Sequence, residues 1–121
     1  YTAMMAGYGG DGPENNIEAV LRAIEECPKC GEIVMVADAL APVKDISLLA
    51  QVKKPVRIIL CGTQWYIHPD YLDIARFTGG SVHTIEQDIE TLATMREGDT
   101  LEIDGKRFKI ENGKFVPVYK L

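Results

Sequence analysis

Apolar positions along the chain change their period several times, and each change marks an element. Ile17, Val20, Leu21 and Ile24 recur at helical spacing, with Glu18, Arg22, Glu25 and Glu26 on the other side, which predicts an amphipathic helix ending near Cys27-Pro28. Pro13 suits its first turn and Glu14 complements its N-terminus. Glu32–Asp38 and Val56–Cys61 are apolar runs without alternation, the pattern of strands in a parallel sheet covered on both faces. Between them Asp45 is expected to cap a short helix through Ile46, Leu48, Leu49 and Val52, which Pro55 ends. Pro69 opens a helix bearing Tyr71, Leu72, Ile74 and Ala75, and Gly79-Gly80 closes it. Ser81-Val82-His83 reads as a short strand. Thr84-Ile85-Glu86-Gln87 has the spacing of a capping box and predicts a further helix through Ile89, Leu92, Ala93 and Met95. Residues 1–8 show no clear period and fit either a short strand or an approach loop.

The last stretch has a different grammar. Thr100–Ile103 alternates, Asp104-Gly105 is a two-residue hairpin signal, and Arg107–Ile110 alternates again. Asn112-Gly113 repeats the signal before Phe115-Val116, and Pro117 confines that strand to a sheet edge. The expected architecture is therefore α/β: a partial doubly wound, Rossmann-like parallel sheet with flanking helices over residues 1–97, and a C-terminal antiparallel β-meander over 98–121 packed on it. The meander's apolar side (Leu101, Ile103, Phe108, Ile110) needs a cover.

Composition narrows the function classes. A chain of 121 residues with 46% hydrophobic and 26% charged residues is sized for one folded domain and unlike a disordered one. The net charge of −5 argues against nucleic acid as a partner, because backbone phosphates demand clustered Lys and Arg. Residues 1–94 carry 7 basic and 13 acidic side chains, so the acidity belongs to the α/β part. No apolar run reaches the roughly 18–20 residues that span a bilayer, so no membrane role is expected. Three cysteines, an odd number, favour free thiols in a reducing, cytoplasmic setting. The start at Tyr1 without an initiator Met is what a piece of a longer chain would show.

Gly9-Gly10-Asp11-Gly12-Pro13-Glu14-Asn15, then Val34-Met35-Val36-Ala37-Asp38, then Tyr71-Leu72-Asp73-Ile74-Ala75-Arg76-Phe77-Thr78-Gly79-Gly80-Ser81-Val82-His83 follow one another in an order that resembles the second half of a von Willebrand factor type A domain, over roughly residues 9–90. The resemblance implies a doubly wound fold with a divalent-cation site at the carboxyl edge of the sheet. Asp38 matches the aspartate that ends a strand in that site, and Glu14, or Asp11, stands in the region of its threonine. The Asp-x-Ser-x-Ser loop that supplies the remaining ligands is absent, as are the strand and helix that carry it. The resemblance thus implies Mg²⁺, or Ca²⁺ or Mn²⁺, at Asp11, Glu14 and Asp38 where a missing N-terminal half, as a separate chain or a removed segment, completes the domain. Otherwise it implies a metal-free relative.

Without the resemblance, Asp11 belongs to a Gly-rich turn, Glu14 serves a helix dipole and Asp38 ends a strand. Trp65, Tyr66 and His68 fall in the loop after the second strand, at the same edge as Asp38, where aromatics act as partner anchors; equally, Trp65 fits a lid folded over the core. Cys27-Pro28-Lys29-Cys30 has the spacing of half a zinc site or of a redox pair, but it follows a helix instead of opening one, and free thiols are expected. His83 reads as a structural histidine. The leading expectation is a non-enzymatic protein-binding or scaffold module. A hydrolase or phosphotransferase with Asp38 as nucleophile or metal ligand is the alternative, lacking a second carboxylate at position 40, which is Leu. An assembly subunit pairing through its sheet edge is the third.

Overall fold

A computed structural model describes the backbone of residues 2–6 and residues 15–119 in full. The first sheet has five strands in the order β1 (Thr2–Ala6), β2 (Glu32–Asp38), β3 (Val56–Cys61), β4 (Ser81–His83) and β5 (Asp88–Ile89). The three neighbouring pairs among β1 to β4 are parallel, and β5 runs antiparallel to β4. The unassigned stretch 1–8 thus contributes a strand. Helix α1 (Asn16–Glu26) connects β1 to β2, a 3-10 helix (Ile46–Gln51) connects β2 to β3, and α2 (Asp70–Thr78) connects β3 to β4. No helix among the described residues is long and apolar enough to cross a membrane.

Side chains alternate across a strand, so each strand splits its residues between two faces. Ile33, Met35, Ala37, Val56, Ile58, Leu60 and Val82 point to one face and form a single core with Ile17 and Val20 of α1 and Leu72, Ile74 and Ala75 of α2. Strands laid down in sequential order with crossovers of one hand place their connections on one side. The opposite face carries Val34, Val36, Arg57, Ile59, Cys61, Ser81 and His83. Ile59 is 37% exposed there, and no described helix covers it.

Local chemistry sets the ends of the elements. The N-terminus of α1 has no cap from its own Asn15; the Asp45 carboxylate accepts the Ile17 and Glu18 N–H groups at 3.0 and 2.8 Å. Asp45 was expected to start the next helix, and that segment is instead a 3-10 helix without a side-chain cap. Gly79, at φ 73°, ends α2 in the left-handed conformation. A Cβ on Gly80 would stand 1.9 Å from the Val56 carbonyl oxygen. The Thr78 hydroxyl accepts the Val56 N–H at 3.1 Å, so Thr-Gly-Gly seats the end of α2 against the start of β3.

Three further expectations fail. Val56–Cys61, expected to be buried on both faces, alternates instead, with Ile59 and Cys61 exposed. The helix expected after Thr84 is a turn, then β5, then a short 3-10 helix (Leu92–Thr94). The Thr84 hydroxyl does accept the Glu86 and Gln87 N–H groups, as in a capping box, but the Thr84 N–H donates back to the Gln87 carbonyl and reverses the chain. The free thiols expected at Cys27 and Cys30 are a disulfide, because the turn between α1 and β2 brings their Cα atoms to 5.4 Å. The Lys54 ammonium closes this turn by donating to the Pro28 and Cys30 carbonyls at 2.8 and 2.6 Å. Cys61 remains a thiol.

The meander forms as expected from β6 (Thr100–Ile103), β7 (Lys106–Glu111) and β8 (Lys114–Pro117). Asp104-Gly105 and Asn112-Gly113 have positive φ at both positions, the backbone of the tight hairpin turn that matches strand twist. The cover for its apolar side is α2: Ile103, Phe108, Ile110 and Phe115 join the common core, and Asp73 of α2 accepts the Phe115 N–H at 2.8 Å.

Candidate functional site

Asp38 and Cys61 are register partners, so β2 and β3 end level and their loops rise from one edge. The two loops are laced together. The Ala39 N–H donates to the Cys61 carbonyl at 2.8 Å, the His68 N–H to the Ala39 carbonyl at 2.7 Å, and the Tyr71 hydroxyl to the Ala41 carbonyl at 2.6 Å. Asp70 accepts the Val43 N–H at 3.2 Å, and its own N–H donates to His68 Nδ1 at 3.2 Å. His68 is therefore held by its backbone and by one ring nitrogen, with Tyr66 edge-on to it at 6.2 Å between ring centroids.

The base of the Trp65 loop is bolted to the meander. The Thr63 hydroxyl donates to Asp104 at 2.6 Å, and the Lys106 ammonium donates to the Gln64 carbonyl at 3.0 Å. Trp65 at its tip is 80% exposed, so the lid arrangement does not occur. Leu40 (45% exposed), Ile85 (101%) and Tyr119 (76%) are also exposed near these loops. Burial, then the neighbouring Tyr119 and Asp70, push the Tyr66 phenol above its ordinary range.

Asp38 is half-buried and its Oδ1 accepts the Leu40 N–H at 2.9 Å. Asp11 and Glu14, its expected companions, lie outside the described residues. No three His, Cys, Asp or Glu side chains converge among the described residues, which hold one of the three expected ligands.

Two further places carry polar chemistry. A groove of about 590 Å³ runs between α2, the first 3-10 helix, the second, and the β7–β8 turn, lined by Ile46, Leu49, Asp73, Arg76, Phe77 and Lys114. Burial, joined by the nearby Asp70, pushes the Asp73 carboxyl up to about 6 against the opposing pull of the Phe115 N–H, Lys114 and Arg76. On the sheet face opposite α1 and α2, His83 Nε2 lies 2.6 Å from the Ser81 hydroxyl, and its Nδ1 lies 2.7 Å from Asp88. The sequence reading missed this contact. The alternation Ser81-Val82-His83 signalled that serine and histidine share a face, but Asp88 reaches them only because the chain reverses at 84–87, where a helix was expected.

No family model, no curated protein and no solved structure matches the chain.

Proposed function

We propose that the chain is a protein-binding or scaffold module with a von Willebrand type A-like, doubly wound kind of fold, whose carboxyl edge engages a partner through Trp65, with Tyr66 and His68 beside it. The solvated indole on a bolted loop carries this reading. Exposing a tryptophan to water is unfavourable, and rigid aromatic anchors dominate interface energies because little entropy is lost when they dock. Asp38 serves an enzymatic reading less well: its Oδ1 is occupied by the Leu40 N–H, and the hydroxyl of Thr63, just past the end of β3, is committed to Asp104. The test is affinity capture with the wild-type chain and with Trp65→Ala, followed by reconstitution with the captured protein. Binding weakened roughly 30-fold or more by the substitution, with a blue shift of the single tryptophan's emission on binding, supports the edge. Equal affinity of the two chains refutes it.

A second reading, as an assembly subunit, is favoured by the sheet face that no described helix covers, where Ile59 is 37% exposed. Parallel sheets normally bury both faces under helices, and the edge of β1 away from β2 has no partner strand among the described residues. A helical layer from a separate polypeptide would complete a doubly wound domain. A compact monomer in sedimentation that binds no 1-anilinonaphthalene-8-sulfonate sinks this reading. A cation belongs to either version only through Asp38 with Asp11 and Glu14. In that case millimolar Mg²⁺, Ca²⁺ or Mn²⁺ raises the melting temperature of the wild type and not of Asp38→Ala, and no shift in either chain excludes it.

A further inference from the structure

Ser81, His83 and Asp88 are joined in one line, and the protonation logic of that line has a single solution for neutral imidazole. An ionised carboxylate only accepts, so His83 Nδ1 must carry the proton that it gives to Asp88. Nε2 is then bare, and the Ser81 hydroxyl must donate to it across 2.6 Å. The serine proton therefore already points at a base whose orientation is fixed by a carboxylate. That is the arrangement that turns a weak hydroxyl into a nucleophile, and it is recognised by geometry whatever the fold or spacing.

The surroundings suit the same chemistry. Arg57 is the register partner of Ser81 on β3, so its side chain rises from the neighbouring strand on the same face. Arg57 Nε finds no hydrogen-bond acceptor among the described residues; its nearest counter-charge is Glu32 at 3.7 Å. That ion pair draws the guanidinium toward β2, on the far side of β3 from β4, so Arg57 adds positive charge to this face without touching Ser81. Ser81 is 7% exposed, and no described helix lies over it; Asp88 is mostly in solvent. Val34 and Val36 of this face are on β2, two strand spacings or roughly 10 Å away, so chemistry at β4 is separate from the β1 border.

We propose that Ser81 is the nucleophile of an acyl-transfer site, with His83 as general base and acid, Asp88 as the residue that positions it, and small carboxylic esters as the substrate class. Ser81 Oγ attacks the ester carbon while its proton passes to His83 Nε2. The ester C–O bond breaks, the leaving alkoxide takes that proton, and an acyl ester of Ser81 remains. Water then attacks with the same proton relay, releasing the carboxylic acid and restoring the hydroxyl. Asp88 stays ionised throughout.

The test uses a fluorophosphonate, which is attacked by activated serine hydroxyls, on the full chain. One adduct by intact mass, placed on Ser81 by fragmentation, is expected, with none on Ser81→Ala. Asp88→Asn alters an exposed group and leaves the melting temperature unchanged, yet slows labelling by roughly 10²–10⁴-fold. p-Nitrophenyl acetate gives a burst of one phenolate per chain in a Cys61→Ser background, which removes the exposed thiol as a rival acceptor. The proposal is overturned by an unlabelled folded wild type, by an adduct on another residue, or by Asp88→Asn labelling at the wild-type rate.

Discussion

Asp73→Asn is expected to stabilise the protein, although it removes a charge close to two cations. Asp73 sits on α2 with its Oδ1 on the Phe115 N–H, so it holds the last strand of the meander against the helix. Burial, joined by the nearby Asp70, raises its carboxyl from 3.8 to about 6. The folded state therefore binds this proton more tightly than the unfolded chain does. Its ionisation costs nothing below about pH 4, costs progressively more between about pH 4 and 6, and costs its full amount above that. A rise of about 2.2 corresponds to about 3 kcal/mol for a fully sheltered group. Asp73 is only partly buried and water screens it, which reduces the figure to roughly 1–2 kcal/mol. Asparagine keeps an oxygen for the Phe115 N–H and drops the charge. Urea unfolding followed by circular dichroism should show the variant more stable by roughly 1–2 kcal/mol near pH 7.5, with the difference vanishing near pH 3.5. A variant no more stable near neutrality, or a difference that does not change with pH, refutes the reasoning.

Other perturbations test the frame and the edge. Asp45→Ala removes both bonds to the α1 N-terminus and should cost roughly 1–2 kcal/mol by chemical denaturation; a cost near zero means water caps the helix equally well. Gly80→Ala drives a methyl into the Val56 carbonyl and should lower stability by roughly 3 kcal/mol or prevent folding; a normal melt shows that β3 yields. Trp65→Ala should change stability by less than about 0.5 kcal/mol, and acrylamide should quench the wild-type indole as it quenches free tryptophan; a protected indole contradicts the displayed anchor.

What was legible in the sequence depended on signals confined to a few neighbouring residues. Asp104-Gly105 and Asn112-Gly113 specify their turns by backbone preference alone, and the two unalternating runs specify β2 and β3 by composition. Gly79-Gly80 marked the end of α2, while the carbonyl that forbids a side chain at Gly80 belongs to residue 56 and was invisible. Asp45 was correctly seen as a helix cap and assigned to the wrong helix, because capping needs only a carboxylate in reach and the chain had folded α1 nearer. Thr84 made its capping bonds and still no helix followed; pairing Ile89 with Val82 at the sheet border outweighed them. The edge was legible in part. Asp38 and the Trp65 loop do share it, as strand ends must, but whether the indole faced inward or outward depended on the Thr63–Asp104 and Lys106–Gln64 ties to a segment some forty residues later. The Ser81–His83–Asp88 line was hidden for the same reason, behind a reversal misread as a helix.

The sequential order β1-β2-β3-β4 also bears on how the molecule comes into being. Each of these strands pairs with the one synthesised just before it, so a chain emerging from the ribosome never has to leave a gap for a strand still to come. The exception is the meander, which returns over α2 after the sheet has formed and shuts off the side of that helix that carries Asp73. Nascent chains stalled after β4 should then already resist protease across the sheet while α2 remains open to attack. Uniform sensitivity until the meander is complete would mean instead that this last-made layer is the keystone of the whole fold.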